Sequence, residues 1–183
     1  MTLPEILDLV GFLIGPEILA HPQFNARAKL PDRTSVVPWH QDLGYLHKSA
    51  EETFMVNLWL PLVDANAENG CLEVIRGSHN CGILPYNSGG AEDLVPESIP
   101  EGEVVCCPLQ VGGVLVLQHK TVHRSTPNFS DHIRWSLDIR YSDPALPTGR
   151  DHVPGFLVRS VSQPNRVAKD HHAWLKLFAE NGD

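Results

Sequence analysis

Residues 134–141 read RWSLDIRY and residues 53–60 read TFMVNLWL, and these two stretches decide the fold class. Both are rich in β-branched and aromatic side chains, both have the length of a strand rather than a helix, and Pro61 closes the second. Arg134 and Ser136 stand two residues apart, so an extended chain places them on one face.

Working outward, the same period recurs. Phe24, Ala26, Ala28 and Leu30 alternate with Asn25, Arg27 and Lys29, and Pro31-Asp32-Arg33 reads as the turn that follows. Residues 36–42 are extended. Asn69-Gly70 is a turn of the hairpin type that leads into a strand over 71–75. Further strands are expected over 103–107 and, after Gly112-Gly113, over 114–118. Residues 80–102 hold Pro85, Asn87-Ser88-Gly89-Gly90, Pro96 and Pro100 and read as a long loop, a kind of segment that is often functional. Helical signals sit at the two ends. Thr2-Leu3-Pro4-Glu5 reads as a capping box with proline in the first turn, opening a helix through Ile6, Leu9, Val10 and Leu13 that stops near Gly15-Pro16. A short turn over 16–20 follows. Residues 171–180 read as a closing helix with Trp174, Leu175 and Phe178 on one face. Short strands, frequent turns and no alternation with helices predict a mainly β fold, a double-stranded β-helix of the jelly-roll, cupin-like kind, with flanking N- and C-terminal helices. No repeat and no boundary interrupts it, so residues 1–183 read as one domain.

Composition narrows the function. Twenty-two acidic against 14 basic residues give a formal net charge of −8, and no stripe of Lys and Arg is present to meet phosphates, which excludes nucleic acid as a partner. No apolar run reaches the ~20 residues of a membrane span, and Glu5 and Asp8 interrupt the only run placed to be a signal peptide. A cytoplasmic protein acting on a small molecule is expected. Cys71, Cys81, Cys106 and Cys107 form no CxxC pair and read as reduced thiols, the last two pointing to opposite faces of a strand. Of the 10 histidines, His21, His47, His132, His152, His171 and His172 lie in polar surroundings and are expected to face solvent.

His40 and Asp42 are different. Two residues apart in an extended segment, they present an imidazole and a carboxylate to one point. A third ligand from a distant strand would complete a two-histidine, one-carboxylate face, which leaves adjacent positions open on an iron(II) ion. Alone, the H-x-D spacing is a weak signal and reads more readily as two polar groups near a strand end. His123 supplies a candidate third ligand, and 11 residues later comes Arg134, whose planar fork matches a carboxylate. The alternative for Arg134 is an ion pair with Asp131 or Asp138.

With these residues in view, the chain resembles the phytanoyl-CoA dioxygenase family of iron(II)/2-oxoglutarate oxygenases. The resemblance is carried by Trp39-His40-Gln41-Asp42, Leu58-Trp59-Leu60-Pro61-Leu62 with Asp64, Glu68-Asn69-Gly70-Cys71-Leu72, Gly77-Ser78-His79, His123-Arg124-Ser125 with Asn128 and Arg134, and Arg140-Tyr141, in family order over roughly residues 25–141. It implies that His40, Asp42 and His123 bind the metal and act in catalysis. It implies that Arg134 holds the far carboxylate of 2-oxoglutarate, and that Trp59, Ser125 and Asn25 line the co-substrate pocket. Asn25 depends on aligning Lys29-Leu30-Pro31 with a Lys-Pro segment of the family. Ser136 joins the pocket because it shares Arg134's face. The implied reaction uses oxygen and 2-oxoglutarate to hydroxylate a small organic substrate, forming succinate and carbon dioxide, and the carboxylate of Asp42 favours hydroxylation over halogenation. Three positions depart from the family pattern: Arg124 where glycine is frequent, Arg76 where proline commonly stands, and Gly112-Gly113 for a Gly-Asp. Arg124 would narrow the pocket or meet an anionic substrate. Family members carry a longer N-terminal part, so a truncated relative that only binds ligands is one alternative. A zinc hydrolase built on the same three ligands is another, though it leaves Arg134 unused.

Overall fold

A computed structural model describes residues 1–87 and 93–180, apart from the side chain of Glu180. These residues form two α-helices, α1 (Pro4–Ile14) and α2 (His171–Glu180), and ten strands. In chain order the strands are β1 (Ile18–Ala20), β2 (Asn25–Lys29), β3 (Val37–His40), β4 (Val56–Pro61), β5 (Leu72–Ile75), β6 (Val104–Cys107), β7 (Leu115–Gln118), β8 (His123–Ser125), β9 (Arg134–Ser142) and β10 (Phe156–Arg159). The pairings of β1 with β10, β9 with β1 and β2, β3 with β8, and β5 with β6 and β8 are antiparallel, and the chain is mainly β with a helix near each end, the jelly-roll class read from the sequence.

The chain divides into two compact units, residues 1–24, 46–57 and 139–183 in one, and residues 25–45 and 58–138 in the other. In the first, β1 lies between β10 and the second half of β9, with Leu19 opposite Ser142. Val10, Ile18, Ala20 and Tyr141 are buried there. Trp174 of α2 packs its ring on Phe24, Phe156 and Phe178.

The second unit positions the candidate site. Its four-stranded sheet runs β3-β8-β5-β6, and the first half of β9 pairs along all of β2, Asn25 opposite Asp138 and Lys29 opposite Arg134. A cluster of Trp59, Ala65, Cys71, Leu72 and Leu117 forms one core, and Ile75, Leu94 and Val122 form another under Trp39 and Tyr86. Burying apolar surface of this kind contributes ~25 cal/mol per Å² and holds the strands that carry the polar site.

Several local expectations change. Leu3, not Thr2, caps α1 and no side chain closes the cap; proline at the first turn already removes one N–H that a cap would satisfy. The buried stripe of α1 runs through Leu7 and Val10, while Leu9 and Leu13 are exposed. The expected turn over 16–20 contains β1, and β10 was not foreseen; both are three or four residues long, too short to show a period. The strand expected from residue 53 begins at Val56. Leu175 and Phe178 are both exposed, so the packed side of α2 is carried by the half-buried Trp174 and Leu177. His21 is fully buried rather than solvent-facing: Nε2 bonds the Thr148 carbonyl at 2.8 Å and Nδ1 accepts from Gln23 N–H. Within the expected loop 80–102, Tyr86 and Leu94 bridge and residues Pro96–Ser98 form a 3₁₀ turn; Ser88, Gly89, Gly90 and Glu92 lie outside the described residues. Among the described residues no helix is long and apolar enough to cross a membrane.

Candidate metal centre

His40 ends β3 and His123 begins β8, and the two are register partners, so their imidazoles stand side by side with ring centroids 4.1 Å apart. Asp42 does not belong to the strand. It opens a 3₁₀ turn, Asp42–Tyr45, so convergence on His40 comes from the strand bending into a turn and not from alternation along an extended segment. The carboxylate oxygen of Asp42 lies 3.9 Å from Nε2 of His40. One potential ligand atom from each of the three residues lies within 4.8 Å of the others, and all three residues are buried.

The hydrogen bonds behind the imidazoles select the donor atoms. Nδ1 of His40 bonds the carbonyl of Pro38 at 2.8 Å, and Nδ1 of His123 bonds the carbonyl of Thr121 at 2.9 Å. A carbonyl accepts only, so each Nδ1 carries its hydrogen and each Nε2 presents a lone pair. Burial, reinforced by the neighbouring His123, holds the His40 imidazole down to about 3, so His40 is neutral at ordinary pH. Two imidazoles and a buried carboxylate are a donor set of the right kind for one divalent cation, whose charge would offset the desolvated carboxylate.

Gln41, between the two ligand candidates, is fully buried and pins the bend. Its Nε2 donates to the carbonyls of Gly82 and Lys120 at 2.8 and 2.7 Å, and its Oε1 accepts from Leu84 N–H at 2.9 Å. The Tyr86 hydroxyl donates to the Gln41 carbonyl and accepts from the Gln41 N–H, both at 2.7 Å. Burial pushes that phenol up to about 12 and keeps it protonated. Gln41 stands in the quoted Trp39-His40-Gln41-Asp42 stretch, but its pinning role with Tyr86 was not foreseen, because a buried glutamine between two ligands carries no pattern of its own.

Arg134 is the largest fully buried side chain. Its Nη1 donates to Ser136 Oγ at 2.7 Å, its Nη2 donates to the Gly70 carbonyl at 2.9 Å, and its guanidinium lies 5.2 Å from the centre of the Trp59 ring. Nε is buried and makes no hydrogen bond among the described residues. Both acids considered as its partners are engaged elsewhere, Asp138 with Arg27 at 2.5 Å and Asp131 with His132 at 3.2 Å. A buried guanidinium with an orphaned N–H and no carboxylate is suited to a carboxylate ligand. A cavity of about 310 Å³ opens beside it, lined in part by Arg27, Lys29, Val37 and Ser125. Ser125 Oγ accepts from Val37 N–H at 3.2 Å. Asn25 is half-buried at the far end of β2 from Lys29.

Two further points differ from the sequence reading. The buried residue of β2 is polar: Lys29 is 6% exposed, while Ala26, Arg27 and Ala28 are exposed and Phe24 and Leu30 are more than 40% exposed. Arg124 lies on the face of β8 opposite His123 and Ser125, where it pairs with Glu73 at 2.7 Å and covers the Trp39 ring at 4.4 Å; it is not free to meet a substrate anion.

A mainly β chain that brings two histidines and an aspartate together, and buries an arginine in the same unit, has the make-up of a metal-dependent oxygenase site. Residues 2–136 match the family model described as phytanoyl-CoA dioxygenase (PhyH), and the chain belongs to that family. The phytanoyl-CoA dioxygenase domain-containing protein 1 of Rattus norvegicus is 34% identical over 150 residues, which cover 78% of this chain and 51% of that protein. The chain spans about half the length of the curated relatives it matches. Among solved structures, the apo form of the non-heme monooxygenase ThoJ is similar with a TM-score of 0.76 and 26% identity, over 96% of this chain and 68% of that one. The epimerase SnoN in complex with Fe3+, alpha ketoglutarate and nogalamycin RO is similar with a TM-score of 0.63 and 26% identity, over 81% and 60%.

Proposed function

We propose that this chain binds iron(II) through His40, Asp42 and His123 and acts as a 2-oxoglutarate-dependent dioxygenase that hydroxylates a small organic substrate. The observation that carries the reading is the convergence of two lone-pair-bearing Nε2 atoms and one buried carboxylate, with ligand atoms within 4.8 Å, in the unit that also buries the unpaired Arg134. Family membership supports it, as do a similar protein that is a non-heme monooxygenase and another held with iron and alpha ketoglutarate.

When bound, iron(II) with 2-oxoglutarate supplies oxygen activation coupled to release of succinate and carbon dioxide. The chain's own residues bind and orient. The Pro38 and Thr121 carbonyls fix both histidine tautomers, and the Gln41 anchors hold the bend that brings Asp42 to them. Arg134, steadied by Ser136, Gly70 and the Trp59 ring, takes the far carboxylate of 2-oxoglutarate and so sets which end faces the metal. Ser125 borders the same pocket, whereas Asn25, at the far end of β2, is not among the residues that line it. Zinc-dependent hydrolysis would leave Arg134 without a role.

Anaerobic titration of iron(II) into the apo-protein with 2-oxoglutarate tests this through the visible charge-transfer band of the chelate. The band is expected in wild type, absent in His40→Ala and weakened in Arg134→Ala. A well-folded wild type with no band overturns the reading. Product analysis with candidate substrates then separates hydroxylation from epimerisation, a reaction the similar SnoN carries out.

A further inference from the structure

We infer that Lys29 is a second anchor for the far carboxylate of 2-oxoglutarate, working beside Arg134 and taking up a proton when that anion binds. This rests on the co-substrate reading above. Lys29 stands opposite Arg134 in the β2–β9 register, is 6% exposed and lines the same cavity of about 310 Å³. The two cations flank one glycine. A side chain at Gly70 would begin 2.6 Å from Cδ of Lys29, and the Gly70 carbonyl receives Nη2 of Arg134 at 2.9 Å. Lys29 is also fixed in place: its Nζ donates to the Ser35 carbonyl at 2.6 Å and its carbonyl accepts from Asn128 Nδ2 at 3.0 Å. That leaves two ammonium hydrogens for a ligand.

The charges around Lys29 point the same way. Arg134 faces it from β9 and Arg27 shares its strand. Asp138, also on β9, is held by Arg27, and Asp32 is held by Ser35 and the Thr34 N–H of its own turn. Asp131 and His132, on the segment that carries Asn128, pair with each other. No carboxylate among the described residues makes an ion pair with Lys29. Two cations desolvated together are unfavourable until an anion lies between them. Burial first, then repulsion by Arg134, holds the ammonium down to about 8. A bound carboxylate reverses the repulsion and restores the charged form, which makes the pocket selective for a dianionic keto acid over a monoanionic one.

The test is calorimetric titration of 2-oxoglutarate into the iron(II)-loaded chain under argon, in two buffers of different ionisation heat. Near pH 9 wild type is expected to take up close to one proton per 2-oxoglutarate, near pH 6.5 almost none, and its affinity should fall roughly tenfold per pH unit above about 8. Lys29→Met should lose the uptake and bind at least tenfold more weakly at pH 7, with its fold checked by circular dichroism. Lys29→Arg should recover affinity at pH 7 without the uptake. Wild type that binds with no proton uptake and no pH dependence overturns the inference and leaves the co-substrate reading intact, as does uptake that persists in Lys29→Met. Wild type that binds no 2-oxoglutarate overturns that reading, and this inference with it.

Discussion

The carbonyl of Gly70 receives Nη2 of Arg134 at 2.9 Å, so the turn that ends at Gly70 sets where the guanidinium points. Gly70 itself adopts φ 81, a left-handed conformation that glycine reaches without strain. An added Cβ would lie 2.5 Å from the Thr126 carbonyl oxygen and 2.6 Å from Lys29 Cδ. The lysine stem can swing aside, but the backbone oxygen cannot. Gly70→Ala is therefore expected to cost about 1–3 kcal/mol of stability and to weaken 2-oxoglutarate binding while sparing iron binding. Denaturant unfolding and anaerobic titration read the two effects separately, and unchanged 2-oxoglutarate affinity would mean that the turn does not aim Arg134.

The fork of Arg134 matters as much as its charge. Arg134→Lys keeps a cation but cannot reach Ser136 Oγ and the Gly70 carbonyl while presenting a planar pair of donors. It should weaken 2-oxoglutarate at least tenfold. Ser136→Ala removes one support and leaves Gly70 and the Trp59 ring in place, so a loss of only about 1 kcal/mol, a few-fold in affinity, is expected. Equal affinities for the two variants in the charge-transfer titration would contradict this order.

Much of this site was legible because its chemistry is written in residue types that rarely gather by chance. His40 and Asp42 were singled out from spacing and His123 was assigned beside them by the family resemblance, and the structure brings the three together, yet by a different route. Alternation predicted Asp42 on the face of His40, whereas a 3₁₀ turn after the strand makes the contact. Spacing of two is compatible with both, so the right neighbours followed from an incomplete premise. β2 shows the opposite limit. Its alternation was plain, but it did not tell which residue would be buried: Ala26, Arg27 and Ala28 are exposed and Lys29 alone is buried, because apolar-inward is only a tendency and this strand borders a polar pocket. Lys29 was thus visible and unweighted. The short strands β1 and β10, the pinning by Gln41 and the burial of His21 depend on contacts distant in sequence, which no local pattern records.

Gln41 makes the bend between ligands testable. Gln41→Leu preserves volume but leaves the Leu84 N–H and the carbonyls of Gly82 and Lys120 without this partner. A destabilisation on the order of 3 kcal/mol is expected. Because the bend orients Asp42 toward His40, iron affinity should fall about 10–100-fold, the usual effect of losing a group that orients ligands. Competition with a chelator of known affinity measures this, and an unchanged iron constant would show that the bend holds without its glutamine.

Lys29 also predicts how the unliganded chain responds to base. Its pKa is lowered from 10.5 to about 8 on folding, so between those values the unfolded chain binds more protons and stability rises with pH. Lys29→Met removes that rise and should be more stable than wild type at pH 7 in the absence of 2-oxoglutarate. Parallel melting curves from pH 7 to 10 decide it: identical slopes for the two proteins would count against a strained ammonium.

Acid should act through Glu17. This carboxylate precedes β1 and gathers the chain just after β10: it accepts from Ser160 Oγ at 2.5 Å, from the N–H groups of Val161 and Ser162 at 2.8 and 2.9 Å, and from Ser162 Oγ at 3.0 Å. The Ser160 hydroxyl, followed by the Ser162 N–H, draws it from 4.5 down to about 2. A depressed carboxylate stabilises the fold above its unfolded value, and that contribution is lost as pH falls through the interval from 4.5 to about 2. Asp32 is drawn down to about 2 as well, so wild type alone cannot assign the loss. Comparison with Glu17→Gln can, since the amide keeps one acceptor but no titration. The variant should start less stable at pH 6 and lose less between pH 5 and pH 2.5, so the two melting curves converge in acid. If they fall in parallel, the charge of Glu17 does not hold β1 and β10 together and its hydrogen bonds act as neutral ones.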